Sequence, residues 1–298
     1  MMVLDQAKRL RELMLQKNSD PPEHDESKST MNAQVIAIAS GKGGVGKSNF
    51  SINMAIQMRK LGKRVVIIDA DFGLANVEIL LGIVPKHTVA DVINGVVDIE
   101  AALTTGPLGC MFLSGGSGMS ALTDLTDNQI LRLTDGFLRL DALADYIIID
   151  TRAGLSNAVT NFIKAASDTI VVTTPDPTAI ADAYALIKSV KATMPDVGVL
   201  KLVVNCAVNE SEANDVYDKL NGVSARFLGI KLLFLGCIPF DSYLVRAVRK
   251  QKPVSIQYPF AESANKYSEI CAKLLKLETG KKSNIQNFVL KLIGRFGA

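Results

Sequence analysis

The most informative stretch of the sequence is GKGGVGKS, residues 41–48. It fits the pattern G-x-x-x-x-G-K-[S/T], in which the glycines let backbone N–H groups wrap around a phosphate group. The apolar run VIAIA precedes it, and the helix-like segment SNFSINMAIQMRKLG follows. Because a strand leads into the loop and a helix leads out, the sequence predicts a nucleotide-binding loop.

The side chains of this loop have distinct expected roles. Lys47 is predicted to reach the β- and γ-phosphates, and the Ser48 hydroxyl is predicted to ligate Mg²⁺. The predicted cofactors are therefore ATP or ADP with Mg²⁺. The predicted nucleotide-binding residues of the loop are Gly41, Lys42, Gly43, Gly44, Val45, Gly46, Lys47, Ser48 and Asn49.

Short aliphatic runs recur along the rest of the chain. They read VIAIA, RVVIID, YIIID, TIVVTT, LKLVVN and LLFLGCIP, and none of them alternates with polar residues. Such runs are typical of strands buried on both faces of a parallel sheet. Helix-like segments separate them, so we expect an α/β fold with a doubly wound, mostly parallel sheet and short accessory helices at both ends.

The composition narrows the classes of function. A hydrophobic content of 48% with 21% charged residues is that of a folded globular protein. A net charge of +3 indicates no general nucleic-acid affinity, and no nucleic-acid site is evident. The four cysteines lack C-x-x-C spacing, so we expect neither disulfides nor a zinc site and place the protein in the cytoplasm. No apolar run approaches the ~20 residues of a membrane span.

Four regions are predicted along the chain. Residues 1–17 read as a helix, with apolar residues at helical spacing. Residues 18–33 are polar, contain a Pro-Pro pair and are predicted to be a flexible linker. Residues 34–280 are the P-loop ATPase domain, and residues 281–298 form an amphipathic C-terminal helix.

The C-terminal helix has a nearly complete apolar stripe, here called the C-terminal stripe. Its members are Ile285, Phe288, Val289, Leu292, Ile293 and Phe296. Lys291 and Arg295 lie off the stripe, which suits an anionic membrane surface. The alternative is a terminal helix that seals the core of its own domain, and one helix can do both in turn.

Carboxylates follow two of the predicted strands. Asp69 and Asp71 come after RVVII, and Asp150 comes after YIII. Ligands of open α/β sheets bind at the carboxyl ends of the strands, so these side chains are expected near the phosphate loop. A single strand-terminal aspartate is often only a turn or helix cap, but three after a complete P-loop favour a functional site.

The second lysine, Lys42, makes the loop G-K-G-G-V-G-K-S, which resembles the deviant Walker A loop of the MinD/ParA superfamily of ATPases. The resemblance implies a homodimer in ATP, in which Lys42 reaches the partner's nucleotide. It also implies that Lys42, Lys47 and Asp71 are catalytic, with Asp71 positioning the attacking water. Asp69 would lie close to the metal, and Asp150 would be the Walker B carboxylate that holds Mg²⁺.

The same resemblance assigns the adenine contacts to Asn205, Pro239 and Asp241. One residue departs from the family pattern. The second position after the Walker B aspartate is usually Pro or Gly, and here it is Arg152. A cation at this position could assist anion binding or alter the switch, or it could point away.

Four segments are similar to the flagellar-number regulators of the FlhG/FleN group: DQAKRLREL, DADFGLANVEILLG, TTPDPTAIADAYALIK and IPFDSYLVRAVRKQKPV. The nitrogenase iron protein and the Fe–S scaffold ATPases are excluded because their paired cysteines are absent. This resemblance implies a slow, dimer-dependent ATPase at the inner face of the cytoplasmic membrane, with the cell pole as one candidate position.

The implied partners are an FlhF-type GTPase, a flagellar transcriptional activator and switch-complex proteins. The predicted partner-binding residues in the first helix are Asp5, Gln6 and Leu10. Three alternatives stay open: a septum-site MinD protein, a chromosome-partition ParA protein, and a nucleotide-gated adaptor with negligible hydrolysis.

Overall fold

The computed structural model describes residues 33–71, 76–116, 126–194, 199–278, 285, 288–289 and 291–292. The predicted N-terminal helix lies outside the described residues, with Asp5, Gln6 and Leu10, and so does the linker up to residue 32. Two members of the C-terminal stripe, Ile293 and Phe296, also lie outside them. The structure therefore leaves the first two regions as predictions.

Eight strands of the described chain form one sheet in the order β3-β4-β2-β5-β1-β6-β7-β8. Every pair is parallel except β3–β4 at one edge. This confirms the predicted doubly wound, mostly parallel sheet. The strands are β1 (Gln34–Ala39), β2 (Val65–Ala70), β3 (Thr104–Thr105), β4 (Met111–Leu113), β5 (Tyr146–Thr151), β6 (Asp168–Thr173), β7 (Lys201–Ala207) and β8 (Leu233–Pro239).

Helices connect the strands and cover both faces of the sheet. Several begin at a side-chain cap: Ser156 accepts from the Val159 N–H at 3.3 Å, and Asn209 accepts from the Glu212 N–H at 2.9 Å. The described helices are α1 (Lys47–Lys60), α2 (Asn76–Leu81), α3 (Val89–Ile93), α4 (Ile99–Ala102), α5 (Asp127–Leu143), α6 (Asn157–Ala165), α7 (Pro177–Thr193), α8 (Glu210–Leu228), α9 (Ser242–Arg249), α10 (Val254–Gln257) and α11 (Glu262–Glu278), with one 3₁₀ turn at Pro107–Gly109.

The sheet separates two hydrophobic cores. Because successive strand residues point to opposite faces, Val35 and Ala37 of β1 join one core while Ile36 and Ile38 join the other. Helices α5, α6, α7 and α8 cover the first core, and α1 and α11 cover the second. Burial on both faces explains why the strand sequences are apolar throughout.

Four members of the C-terminal stripe are buried against the first core: Ile285, Phe288, Val289 and Leu292. The Phe288 ring is 1% exposed and lies 6.3 Å from the ring of Phe137 on α5 and 6.5 Å from that of Phe162 on α6. Lys291, off the stripe, is exposed. The stripe thus covers the core of its own chain in this structure, in agreement with the second interpretation, and membrane binding stays a prediction.

No helix within the described ranges is both long enough and apolar enough to cross a membrane.

Candidate functional site

The phosphate loop joins the end of β1 to the start of α1, as the sequence predicts. Gly46 has φ +87°, a left-handed conformation that favours glycine, and a Cβ there would collide with the side chain of Asn205. A Cβ on Gly41 would run into the backbone carbonyl of Asp182 on α7. The loop is therefore closely surrounded where glycine is required, and it leads into a helix N-terminus suited to phosphate.

A buried ion pair joins the loop to the end of β5. The Lys47 Nζ lies 3.1 Å from Asp150 Oδ1, and the two side chains are 8% and 0% exposed. The Ser51 hydroxyl donates to the same carboxylate oxygen at 3.0 Å. The predicted Walker B carboxylate and the predicted phosphate lysine therefore meet in one place.

Several buried oxygen atoms at this edge of the sheet are left without a hydrogen-bond partner. Within the described part of the chain, five buried side-chain atoms have none, and three of them are Asp71 Oδ1, Asp150 Oδ2 and Asn205 Oδ1. Buried polar atoms are usually hydrogen-bonded, so unpaired ones indicate a missing partner. Oxygen acceptors beside a phosphate loop fit a hydrated Mg²⁺ and the amino group of a base.

Asp69 is placed differently from Asp150, although the two residues pair in register across β2 and β5. Its Oδ1 accepts from the Asp71 N–H at 3.2 Å, and its Oδ2 accepts from the Val77 N–H at 3.0 Å. Burial, and then the charge of Asp150, raises the pKa of Asp69 to about 7. Asp69 thus holds the backbone at Asp71 and at Val77. Its proximity to a metal stays a prediction.

Asp71 lies just beyond β2 and is held by two side chains. Its Oδ2 accepts a hydrogen bond from Asn76 Nδ2 at 3.2 Å, and its Oδ1 lies 3.8 Å from Arg152 Nε. The distance to Arg152 is that of an ion pair and is too long for a hydrogen bond. One oxygen of Asp71 therefore retains the capacity to accept a hydrogen bond from water.

Lys42 is partly exposed and contacts its own chain. Its ammonium donates to the Thr178 hydroxyl and lies 3.3 Å from Asp176 Oδ2, at the start of α7. Its side chain is 39% exposed. Hydrogen bonds from Thr178, and then from Lys42, lower the pKa of Asp176 to about 2. In this structure Lys42 does not reach towards Lys47 and Asp150.

The predicted adenine residues divide into two kinds. The amide of Asn205 donates to the Val45 carbonyl at 2.7 Å, so its NH₂ faces the loop and its oxygen stays unpaired. Both oxygens of Asp241 are used within the chain, at the cap of α9 and by Ser263. Pro239 is the buried last residue of β8. Asn205 thus has a free acceptor, whereas Asp241 organises the loop after β8.

The described residues contain no group of three or more His, Cys, Asp and Glu side chains placed to hold a metal ion. Mg²⁺ usually retains several waters and binds substrate phosphates with one or two protein ligands. The donor set of Ser48 and Asp150 fits that chemistry.

Three further residues, which were not predicted from the sequence, organise the site. Ser51 lies one helical turn after Lys47 and shares Asp150, and that i, i+4 spacing was a signal in the sequence. Asn76 holds Asp71, and Thr178 holds Lys42. No local pattern identifies Thr178, because it lies 136 residues from Lys42, whereas Asn76 follows Asp71 by only five residues.

Comparisons with known proteins agree with this geometry. The ParA family model, described as NUBPL iron-transfer P-loop NTPase, matches residues 32–275. The antiactivator FleN of Pseudomonas aeruginosa is 36% identical and aligns with 87% of this chain and 93% of its own. The flagellum site-determining protein YlxH of Helicobacter pylori is 33% identical, over 98% and 99% of the two chains.

Solved structures show the same fold. The MinD of the Aquifex aeolicus MinC:MinD cell division complex superposes with a TM-score of 0.67 at 24% identity, over 85% of this chain and 100% of that one. The septum site-determining protein MinD of Pyrococcus horikoshii, solved with Mg-ADP, has a TM-score of 0.67 at 22% identity, over 83% and 98%. The expected cofactors, ATP or ADP with Mg²⁺, agree with the family. The chain belongs to the ParA/MinD family of P-loop NTPases, and the antiactivator FleN and the flagellum site-determining protein YlxH are among its relatives.

Proposed function

We propose that this protein is an ATP-driven switch that forms a homodimer with Mg-ATP, hydrolyses the ATP slowly and regulates the number or placement of flagella. The observation that carries the proposal is the arrangement of Lys47, Asp150 and Asp71 at one edge of the sheet, with a second, partly exposed lysine on the same loop. The name of the flagellum site-determining protein YlxH, together with the resemblance to the FlhG/FleN group, supports the flagellar role.

Hydrolysis requires a water molecule to attack the γ-phosphorus while the charge on the phosphate oxygens is neutralised. Asp71 is suited to orient this water, because one of its buried oxygens has no hydrogen-bond partner. Lys47 supplies a cation from the same chain, and Asp150 holds Mg²⁺ with Ser48. Lys42 supplies the second cation to the partner's site, as an arginine finger does in other NTPases.

Membrane binding is the second part of the proposal. The four described members of the C-terminal stripe are buried, so in this arrangement they are not available to lipid. If dimerisation releases two such helices, insertion of the second becomes intramolecular and adds about 10²–10⁴-fold in avidity. ATP would then control localisation to the inner face of the cytoplasmic membrane. The further partners are an FlhF-type GTPase, a flagellar transcriptional activator and switch-complex proteins.

A role in choosing the division site is the second candidate. The septum site-determining protein MinD of Synechocystis is 30% identical over 81% of this chain and 89% of its own. The N-terminal segment DQAKRLREL favours the flagellar role, because that segment is typical of the FlhG/FleN group. Flagellar number and cell length in a deletion strain distinguish the two: changed flagellation at normal length supports the first candidate, and minicells support the second.

The biochemical test is light scattering of the wild type and of Asp71→Ala in ADP and in ATP with Mg²⁺. We expect monomers in ADP for both, a transient dimer of the wild type in ATP, and a persistent dimer of Asp71→Ala, because it binds ATP without hydrolysing it. An Asp71→Ala dimer that dissociates in ATP as fast as the wild type would refute the water-activating role. A nucleotide-gated adaptor would instead give wild-type dimers as persistent as those of the variant.

A further inference from the structure

Arg152 lies close to both Asp71, just beyond the end of β2, and the phosphate loop. In the register of β2 and β5, Thr151 pairs with Ala70, so Arg152 and Asp71 each follow directly on neighbouring strands. The loop that Arg152 begins is tied to the phosphate loop, because the Gly154 N–H donates to the Ser40 carbonyl at 2.9 Å. Arg152 is therefore held on the same edge of the sheet as Lys47.

The side chains of Arg152 and Asp71 differ strongly in their exposure to solvent. The arginine side chain is 62% exposed, whereas that of Asp71 is 10% exposed. Their closest approach, 3.8 Å, involves Nε, and this is the one ion pair of Arg152 within the described residues. The guanidinium thus has further N–H donors that the contact with Asp71 does not use.

The pair with Asp71 is a weak one. An ion pair with an exposed partner contributes little, because water screens the attraction. A phosphate is a better partner, since it carries more charge and matches the planar guanidinium with two parallel hydrogen bonds. A γ-phosphate that Lys47 holds, and that water oriented by Asp71 attacks, must lie between these two residues. There it would compete with Asp71 for the guanidinium.

We propose that Arg152 is a γ-phosphate sensor that exchanges partners. With ADP or without nucleotide it stays on Asp71, and when a γ-phosphate is present it moves to the phosphate and releases Asp71. The inference rests on the proposed function, since ATP is the ligand. Arg152 therefore acts on Asp71 as a positioning residue and discriminates ATP from ADP. The family pattern, with Pro or Gly at this position, has no side chain able to do this.

The test is the affinity for two nucleotides, the non-hydrolysable analogue AMPPNP and ADP, measured by calorimetry with Mg²⁺. Arg152→Ala is expected to weaken AMPPNP binding about tenfold, as the loss of one charge-assisted pair does, and to leave ADP binding unchanged. Arg152→Lys is expected to recover part of the loss, because it keeps the charge without the fork. The matched control is Arg226→Ala, an arginine on the last turn of α8 whose guanidinium lies over the Phe227 ring. It should change neither affinity.

A double-mutant cycle tests the exchange itself. Asp71→Asn removes the charge that competes for Arg152, so it should tighten AMPPNP binding more in the presence of Arg152 than in the Arg152→Ala background. Additive effects of the two substitutions would overturn the exchange. Circular dichroism checks that each variant is folded.

The remaining outcomes are also decisive. An equal loss of both nucleotides in Arg152→Ala would place the arginine away from the γ-phosphate, and no loss of either would make it a solvated surface residue. Each result overturns the sensor and leaves the proposed function standing. If the wild type binds neither nucleotide, or if Lys47→Ala binds both as well as the wild type does, the proposed function fails together with the sensor.

Discussion

At the scale of single residues, the site depends on the buried ion pair of Lys47 and Asp150. Asp150 is fully buried, and one of its oxygens accepts from both Lys47 and Ser51. Lys47→Ala would leave the carboxylate buried without a cation, which costs about 3–5 kcal/mol in comparable cases. We expect that loss in the free energy of unfolding, measured by urea denaturation, together with loss of ATP binding in calorimetry.

The matched control for this prediction is Lys60→Ala on the same helix. Lys60 donates to the Ser255 carbonyl at 2.7 Å and has no carboxylate partner in the described structure. Its removal should cost less free energy of unfolding than Lys47→Ala, because the exposed Lys60 ammonium leaves no buried charge unpaired, and should leave ATP binding intact. Adding Asp150→Asn to Lys47→Ala should restore part of the stability but not the binding. Equal stability losses in the two lysine variants would contradict the interpretation.

At the scale of elements, the C-terminal stripe is placed where it can serve the core or a membrane. Phe288 packs against α5 and α6, and α6 follows the loop that contains Arg152. We expect the protein to sediment with anionic liposomes in ATP and to stay in the supernatant in ADP. Phe288→Glu should stay in the supernatant in both nucleotides, because the apolar face is interrupted. The matched control is Lys291→Glu off the stripe, which should only weaken binding, by about 1 kcal/mol or more for the reversed charge.

Two results of the liposome experiment would contradict this account. Equal sedimentation in ADP and ATP would remove the coupling to nucleotide. Unchanged binding by Phe288→Glu would remove the C-terminal stripe itself from the membrane site.

The N-terminal helix of residues 1–17 is the second element with a prediction of its own. A glutamine can orient an attacking water in a GTPase, so Gln6 is a candidate for entering the partner's site. A synthetic peptide of residues 1–20 should raise the GTPase rate of the FlhF-type partner in a phosphate-release assay. The same peptide with Gln6→Ala should raise it much less. No stimulation at saturating peptide would refute a detachable activating element.

At the scale of the whole molecule, the position of Lys42 predicts that the ATPase is complete only in a dimer. Lys42 is bound to Asp176 and Thr178 of its own chain rather than to the residues around Lys47. Hydrolysis per chain should therefore rise with protein concentration in the wild type and stay low at all concentrations in Lys42→Ala.

Mixing two inactive variants tests whether Lys42 acts across the dimer. A Lys42→Ala chain keeps Asp71 in its own site but cannot supply Lys42 to its partner. An Asp71→Ala chain lacks Asp71 in its own site but can supply Lys42 to a Lys42→Ala partner. In a symmetric dimer with random pairing, the mixture should reach at most about a quarter of the wild-type rate, since half the dimers are mixed and each has one complete site. A mixture as inactive as its components, with mixed dimers demonstrated, would mean that Lys42 does not act in trans.

The phosphate loop, the parallel sheet and the position of three aspartates at strand ends could all be predicted from the sequence. These are local properties: a glycine at positive φ, an apolar run buried on both faces and a residue that follows a strand are each written in a few consecutive positions. The structure therefore confirms the fold and brings Lys47, Asp71 and Asp150 to one edge.

The contacts that distinguish residues of the same type are set by the tertiary structure. Asp69 and Asp150 end neighbouring strands in register, yet Asp150 faces Lys47 while Asp69 binds backbone N–H groups. Lys42 has a partner 134 residues away in the chain. The C-terminal stripe is an apolar helix face, and such a face specifies burial without specifying what covers it. Lys42 and the C-terminal stripe contact distant segments, so no local pattern contains those partners, whereas Asp69 binds N–H groups only two and eight residues away.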